Sequence, residues 1–184
     1  METQKVHVPQ PSEYKQESKI PHISFSELKN WQRCPFYHKL TYIDKIKRFK
    51  GNEFTAFGSA LHSVCEKVVL EDDLNFLEYF KREFSKNLKY LLSEEIEVDS
   101  DLTTSMEKQG AGLVKHIKPA LKNYFEDYEV VSVEEQLSQK IKEFVEKEYN
   151  FKGYIDLVLK TKDGKYHIID WKTCSWGWNG KKRS

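Results

Sequence analysis

The sequence predicts a mixed α/β domain with helices first and an antiparallel group of strands after them. Three observations carry this. Apolar residues recur at helical spacing up to Tyr128, the period switches to two beyond it, and Lys162-Asp163-Gly164 stands as a hairpin turn between two apolar runs. Residues 1–20 mix Gln, Glu, Lys, Ser and Pro without any period and read as a mobile tail. Ser24-Phe25-Ser26-Glu27 has the form of a capping box, with Ser24 capping a helix and Glu27 reaching back to it. In Cys34-Pro35-Phe36-Tyr37 the proline marks a kink or a fresh helix start, because it has no amide hydrogen to donate. A helix follows over residues 55–70, where Phe57, Leu61, Val64, Cys65 and Val68 form one apolar stripe. Another spans 73–92, and the acidic stretch 93–103 reads as a surface loop. A last helix covers 104–128, with Val114, Ile117, Leu121, Tyr124, Phe125 and Tyr128 on one side and Pro119 expected to bend it. Three strands complete the pattern, at 129–142, 150–160 and 165–172.

Composition narrows the function classes. The chain has 184 residues, 39% of them hydrophobic and 14% aromatic, enough apolar material for one core, so residues 21–184 are expected to form a single domain. A net charge of +1 excludes a histone-like blanket of positive charge, although a local basic groove would leave no trace in that total. No apolar run approaches the roughly 18 residues needed to span a membrane. The first residues lack the apolar core of a signal peptide, so a cytoplasmic location is expected. Cys34, Cys65 and Cys174 are odd in number and far apart, which supports neither a disulfide framework nor a zinc knuckle.

The chemistry concentrates in Gly153-Tyr154-Ile155-Asp156 and Ile168-Ile169-Asp170-Trp171-Lys172. A three-residue turn at 162–164 places Asp156 directly opposite Asp170; a two-residue turn makes them diagonal neighbours. Side chains alternate along a strand, so Asp156 and Val158 share a face with Ile168, Asp170 and Lys172, while Ile155, Leu157, Ile169 and Trp171 face a core. Opposed Cβ atoms lie about 4.5–5.5 Å apart. Two carboxylates at that separation repel, and a shared proton or a divalent cation relieves them. Lys172 on the same face would position water beside such a cation, which together are the parts that phosphodiester hydrolysis requires. An ordinary cross-strand ion-pair cluster on a wet face is the competing reading of the same residues.

These segments resemble the PD-(D/E)xK nuclease superfamily, and within it the RecB-like branch. Its G-x-x-D stands here as Gly153 to Asp156 and its D-x-K-T as Asp170 to Thr173, with Ile155 in the place of the proline. Ser24-Phe25-Ser26, Leu28 and Cys34-Pro35-Phe36 resemble the branch's N-terminal helix signature. Gly58-Ser59-Ala60-Leu61-His62 resembles the motif whose histidine binds metal, and Glu135 (or Glu134) matches the acid ahead of G-x-x-D. The resemblance implies a restriction-endonuclease-like core, a mixed sheet flanked by helices with a helical N-terminal part. It also implies Mg²⁺ or Mn²⁺ held by His62, Asp156, Asp170 and the Trp171 carbonyl, with Lys172 orienting water and Glu135 in support. Read without the family, His62 is a helix-boundary residue bonded to a neighbour; His7, His22, His38, His116 and His167 are structural. Tyr37 and Lys39, with Lys45, Lys47 and Arg48 from the basic run that follows, interleave aromatic and basic groups as a DNA strand requires, or simply form a solvated helix end.

Two departures qualify the expectation. The branch continues past D-x-K into a helix bearing Gln-x-x-x-Tyr, whereas residues 174–184 contain no such motif, which implies a fragment, a completing partner subunit or a lost element. Without that helix, Asp170 and Lys172 should lie open to water, and apolar surface of Ile169 and Trp171, with Trp176 and Trp178 as further candidates, should be left uncovered on the other face. Relatives with an iron–sulfur cluster use one cysteine in the N-terminal signature and three after D-x-K; only Cys174 follows here, so no cluster is expected. The resulting expectation is a metal-dependent nuclease, an exonuclease acting on DNA ends or single strands in recombination, repair or replication. Its rival is a weak or inactive DNA-binding or assembly subunit that keeps the fold.

Overall fold

The computed structural model describes residues 21–46, 49–142 and 148–173. The expected tail at 1–20 lies outside them, as do Lys47, Arg48, Cys174, Trp176 and Trp178. The elements run β1 (His22–Ser24), α1 (Phe25–Arg33), α2 (Pro35–His38), a π-helical turn (Lys39–Ile43), α3 (Glu53–Leu70), α4 (Phe76–Ser93), α5 (Ser100–Phe125), β2 (Tyr128–Lys140), β3 (Asn150–Thr161) and β4 (Tyr166–Ile169). The strands form one mixed sheet in the order β1-β3-β2, with β4 also pairing with β3. The described residues divide into two compact units, 21–46 with 134–142 and 148–155, and 49–133 with 156–173.

In the first unit β1 runs parallel to β3, with His22 beside Asn150 and Ser24 beside Lys152. A three-residue strand carries no readable period, which is why the sequence did not reveal it. Ser24 caps α1 by accepting the Glu27 amide hydrogen at 3.1 Å. The second half of the expected capping box does not form. The Glu27 carboxylate instead meets His38 Nε2 at 3.0 Å, and the His38 ring stacks on Tyr42. Pro35 begins a fresh helix: Cys34 ends α1 and caps α2, its Sγ accepting from the Tyr37 amide.

In the second unit α3, α4 and α5 enclose a core of Phe57, Ala60, Leu61, Val64, Val68, Phe80, Phe84, Leu91, Met106 and Val114. The rings of Phe80 and Phe84 stack at 5.8 Å, and Phe57 meets both edge-on. The helix starts differ from expectation. A reciprocal capping box joins Asn52 and Thr55 at α3, Asn75 caps α4, and Asp99 accepts the amides of Asp101 and Leu102 at the head of α5. Residues 100–103 are therefore helical, and the acidic loop is shorter than the sequence suggested, because Asp99 acts as a cap. Pro119 lies inside α5, which ends at Phe125.

A second core joins Leu121 of α5 to Leu157 and Leu159 of β3, both wholly buried, with Val69, Phe125, Val130, Ile169 and Trp171 packed around them. β4 runs antiparallel to β3 with Leu157 opposite Ile169 and Leu159 opposite His167, the register of a three-residue turn. Gly164 takes φ +82° in that turn. Among the described residues no helix is long and apolar enough to cross a membrane.

Glycines on α5 offer a test of the packing. A Cβ on Gly110 would lie 2.1 Å from the Phe80 ring, whereas one on Gly112 would meet nothing within 4 Å. Overpacking typically destabilises by about 1–3 kcal/mol, against about 1 kcal/mol gained when Ala replaces Gly in a helix. Gly110→Ala should therefore lower the urea midpoint and Gly112→Ala raise it; equal shifts in one direction would contradict this packing.

Candidate active site

β3 and α3 position the first two side chains. Leu157 and Leu159 are buried on one face of β3, so Asp156 projects from the other. His62 follows Leu61 on α3, at the margin of the stripe formed by Leu61, Val64, Cys65 and Val68. The two meet: His62 Nδ1 lies 3.8 Å from Asp156 Oδ2. The Asp156 side chain is only 12% exposed. The same Oδ2 accepts the Trp171 backbone amide at 2.6 Å. Among the described residues neither Lys nor Arg forms an ion pair with Asp156, so this sheltered carboxylate has an imidazole as its one ion-pair partner.

The D-x-K half is arranged differently from the expectation. β4 ends at Ile169, shorter than the expected strand 165–172, and the ladder stops one position before Asp156 and Asp170 would pair. Asp170 does not join His62 and Asp156 in a common metal-capable group. Its carboxylate binds Lys172 Nζ instead, and both side chains are more than half exposed, at 62% and 57%. Two adjacent charges of opposite sign in water find each other more readily than two carboxylates do, which explains the altered pairing. Trp171 and Ile169, expected to stay uncovered, are half-buried against the second core. The expected core-facing set holds for Leu157, Ile169 and Trp171, while Ile168 stands 70% exposed on the opposite face.

Two features of the site are not legible in the sequence. One is the Asp156–Trp171 hydrogen bond, which begins only where the ladder ends. The other is at Gly58, where a Cβ would lie 3.2 Å from Thr173 Oγ1. The glycine had been visible as part of a motif, but nothing in the sequence named its neighbour.

The remaining candidates lie in the first unit, except Lys47 and Arg48, which are outside the described residues. Glu134 and Glu135 sit on β2, Glu134 with a positive φ of 50° that breaks the strand's regular alternation. Tyr37 is exposed on α2, Lys39 pairs with Asp44, and Lys45 adopts φ 55°. Of the histidines read as structural, His38 pairs with Glu27, and His167 contacts Thr161 Oγ1 and the Phe125 ring.

Comparison with known proteins decides the family. A family model described as the PD-(D/E)XK nuclease superfamily matches residues 22–181. The chain belongs to the PD-(D/E)XK nuclease superfamily. Comparison with curated proteins gave no match. Membership makes the protein a nuclease-type phosphodiester hydrolase by fold, and proteins of this superfamily use divalent metals. His62 and Asp156 give this PD-(D/E)XK protein an imidazole nitrogen and a carboxylate oxygen as candidate ligands. A mixed nitrogen and oxygen set suits Mn²⁺ at least as well as Mg²⁺, which prefers oxygen alone.

Cys65 lies behind this site. Burial, followed by the negative charges of Glu66 and Asp156, pushes its thiol up to about 12. Cys34 by contrast is exposed. Because the thiolate is the reactive form, in a Cys174→Ser background a disulfide reagent at pH 8 should modify Cys34 promptly and spare Cys65 until the protein unfolds. Rapid modification of both thiols in the folded protein would contradict the burial of Cys65.

Proposed function

We propose that this PD-(D/E)XK protein is a metal-dependent deoxyribonuclease of the RecB-like branch, an exonuclease acting on DNA ends or single strands in recombination, repair or replication. The observation that carries the reading is the sheltered Asp156 carboxylate beside His62, with Lys172 following two residues beyond Asp170 in the D-x-K segment. His62, Asp156, Asp170 and the Trp171 carbonyl are the proposed ligands of Mg²⁺ or Mn²⁺, with Glu135 or Glu134 as the supporting acid. When bound, the ion supplies positive charge against the scissile phosphate and acidifies water. Lys172 orients the attacking water; water adds to phosphorus, the bond to the 3′ oxygen breaks, and a 5′-phosphate and a 3′-hydroxyl result. Tyr37, Lys39, Lys45, Lys47 and Arg48 offer stacking and positive charge to the DNA strand.

A second reading has specific support. Lys172 is engaged by Asp170 and both are exposed, an arrangement that also suits a DNA-binding or assembly subunit with little cleavage of its own. End-labelled linear and circular DNA incubated with Mn²⁺ separates the two readings, since an exonuclease degrades only the linear form.

Metal binding should be visible as stability. At 100 times its Kd, a ligand bound only by the folded state adds about 2.7 kcal/mol. Mn²⁺ should raise the melting temperature of the parent, and Asp156→Asn combined with Asp170→Asn should abolish the rise. A double variant that responds like the parent would remove this site from consideration. Lys172→Ala should leave the Mn²⁺ response largely intact while reducing cleavage at least a hundredfold, on the order expected for loss of a positioned catalytic group. Equal loss of both would make Lys172 a structural partner of the carboxylates.

A further inference from the structure

Residues 170–173 follow β4 and have no ladder partner of their own. A hydrogen bond and a close neighbour nevertheless bracket Lys172, one on each side. On one side the Trp171 amide donates to Asp156 Oδ2 at 2.6 Å. On the other, Thr173 Oγ1 lies 3.2 Å from the point that a Cβ on Gly58 would occupy. A helical glycine alone signals nothing, as Gly112 stands in open space on α5. Gly58 differs because its neighbour belongs to the segment that carries Lys172. It lies within α3 and is absent from the glycines with positive φ, so it weakens the helix without any turn that requires it.

We propose that Gly58 is a positioning residue. The notch it leaves in α3 seats Thr173, and this seat and the Asp156 carboxylate together fix the backbone on either side of Lys172. The proposal rests on the reading of Lys172 as the residue that orients water. A side chain at position 58 would displace Thr173 by a few tenths of an ångström, because Thr173 is exposed and gives way more easily than a helix does. The fold would tolerate this, yet a small misplacement beside a reacting group slows chemistry steeply. Helix stability and catalysis therefore favour opposite residues at position 58.

The test uses the full chain with Mn²⁺ and a single-stranded oligonucleotide, comparing the parent, Gly58→Ala, Gly58→Val, Thr173→Ala and the Gly58→Ala/Thr173→Ala double variant. Gly58→Val should keep or raise the melting temperature and bind Mn²⁺ within twofold of the parent, with KM similarly preserved. Its kcat should fall at least tenfold, and the amide resonances of Trp171 and Lys172 should shift. Removing Thr173 Oγ1 should restore room, so Gly58→Ala should reduce kcat less in the Thr173→Ala background than in the parent. An unchanged kcat in a folded Gly58→Val protein overturns the proposal, as does an equal Gly58→Ala effect in both backgrounds. If Gly58→Val fails to fold, Gly58→Ala and its double variant decide the matter by the same readings. If the parent cleaves no DNA, the nuclease reading fails. The two amides then decide the seat, and resonances that do not move in Gly58→Ala overturn it.

Discussion

The burial of Leu157 and Leu159 in β3 constrains everything around the site. Both side chains are wholly enclosed by α5 and the neighbouring strand residues, and a strand presents alternate residues to opposite faces. Moving β3 by one residue would expose both leucines and bury Asp156 and Val158 in their place, a loss of several kcal/mol at about 1.5–3 kcal/mol per large apolar side chain. The same leucines align β4, since Ile169 lies opposite Leu157 and packs on the same core. The direction of Asp156 is thus set by its apolar neighbours and not by any partner of its own.

Two halves of the acidic motif are then held by different physics. Asp156 is sheltered, so its interactions with the Trp171 amide and with His62 are screened little by water. Asp170 and Lys172 form an exposed ion pair, of a kind that contributes about 0–1 kcal/mol. The first half is held by enclosed contacts and the second by an exposed ion pair that costs little to break. A phosphate or a cation placed near the strand end would compete with Asp170 for Lys172, or with Lys172 for Asp170, against only that weak bond.

Much of this was legible in the residue order. Period-two apolar runs located β3, and Lys162-Asp163-Gly164 located the hairpin, because strand alternation and turn chemistry are local properties; of the two registers left open, the structure takes that of the three-residue turn. The apolar stripe of α3 was visible from Phe57 to Val68 for the same reason. Helix starts were less legible: Asn52, Asn75 and Asp99 are ordinary polar residues until a backbone amide is brought to them. Glu27 shows the converse, a residue with the right spacing for a local bond whose carboxylate instead meets His38, eleven positions away.

The sequence by itself determined the family motifs, the order of α3, α4 and α5 before β2, β3 and β4, and the face on which Asp156 stands, since each depends on spacing of only a few residues. Where β4 ends and which partner Asp170 takes were decided by tertiary structure alone. So was the seat of Thr173 over Gly58, which joins residues more than a hundred positions apart. Such contacts depend on the distance between packed elements, set by the summed volume of side chains such as Leu121, Leu157 and Trp171, and no periodicity records that sum.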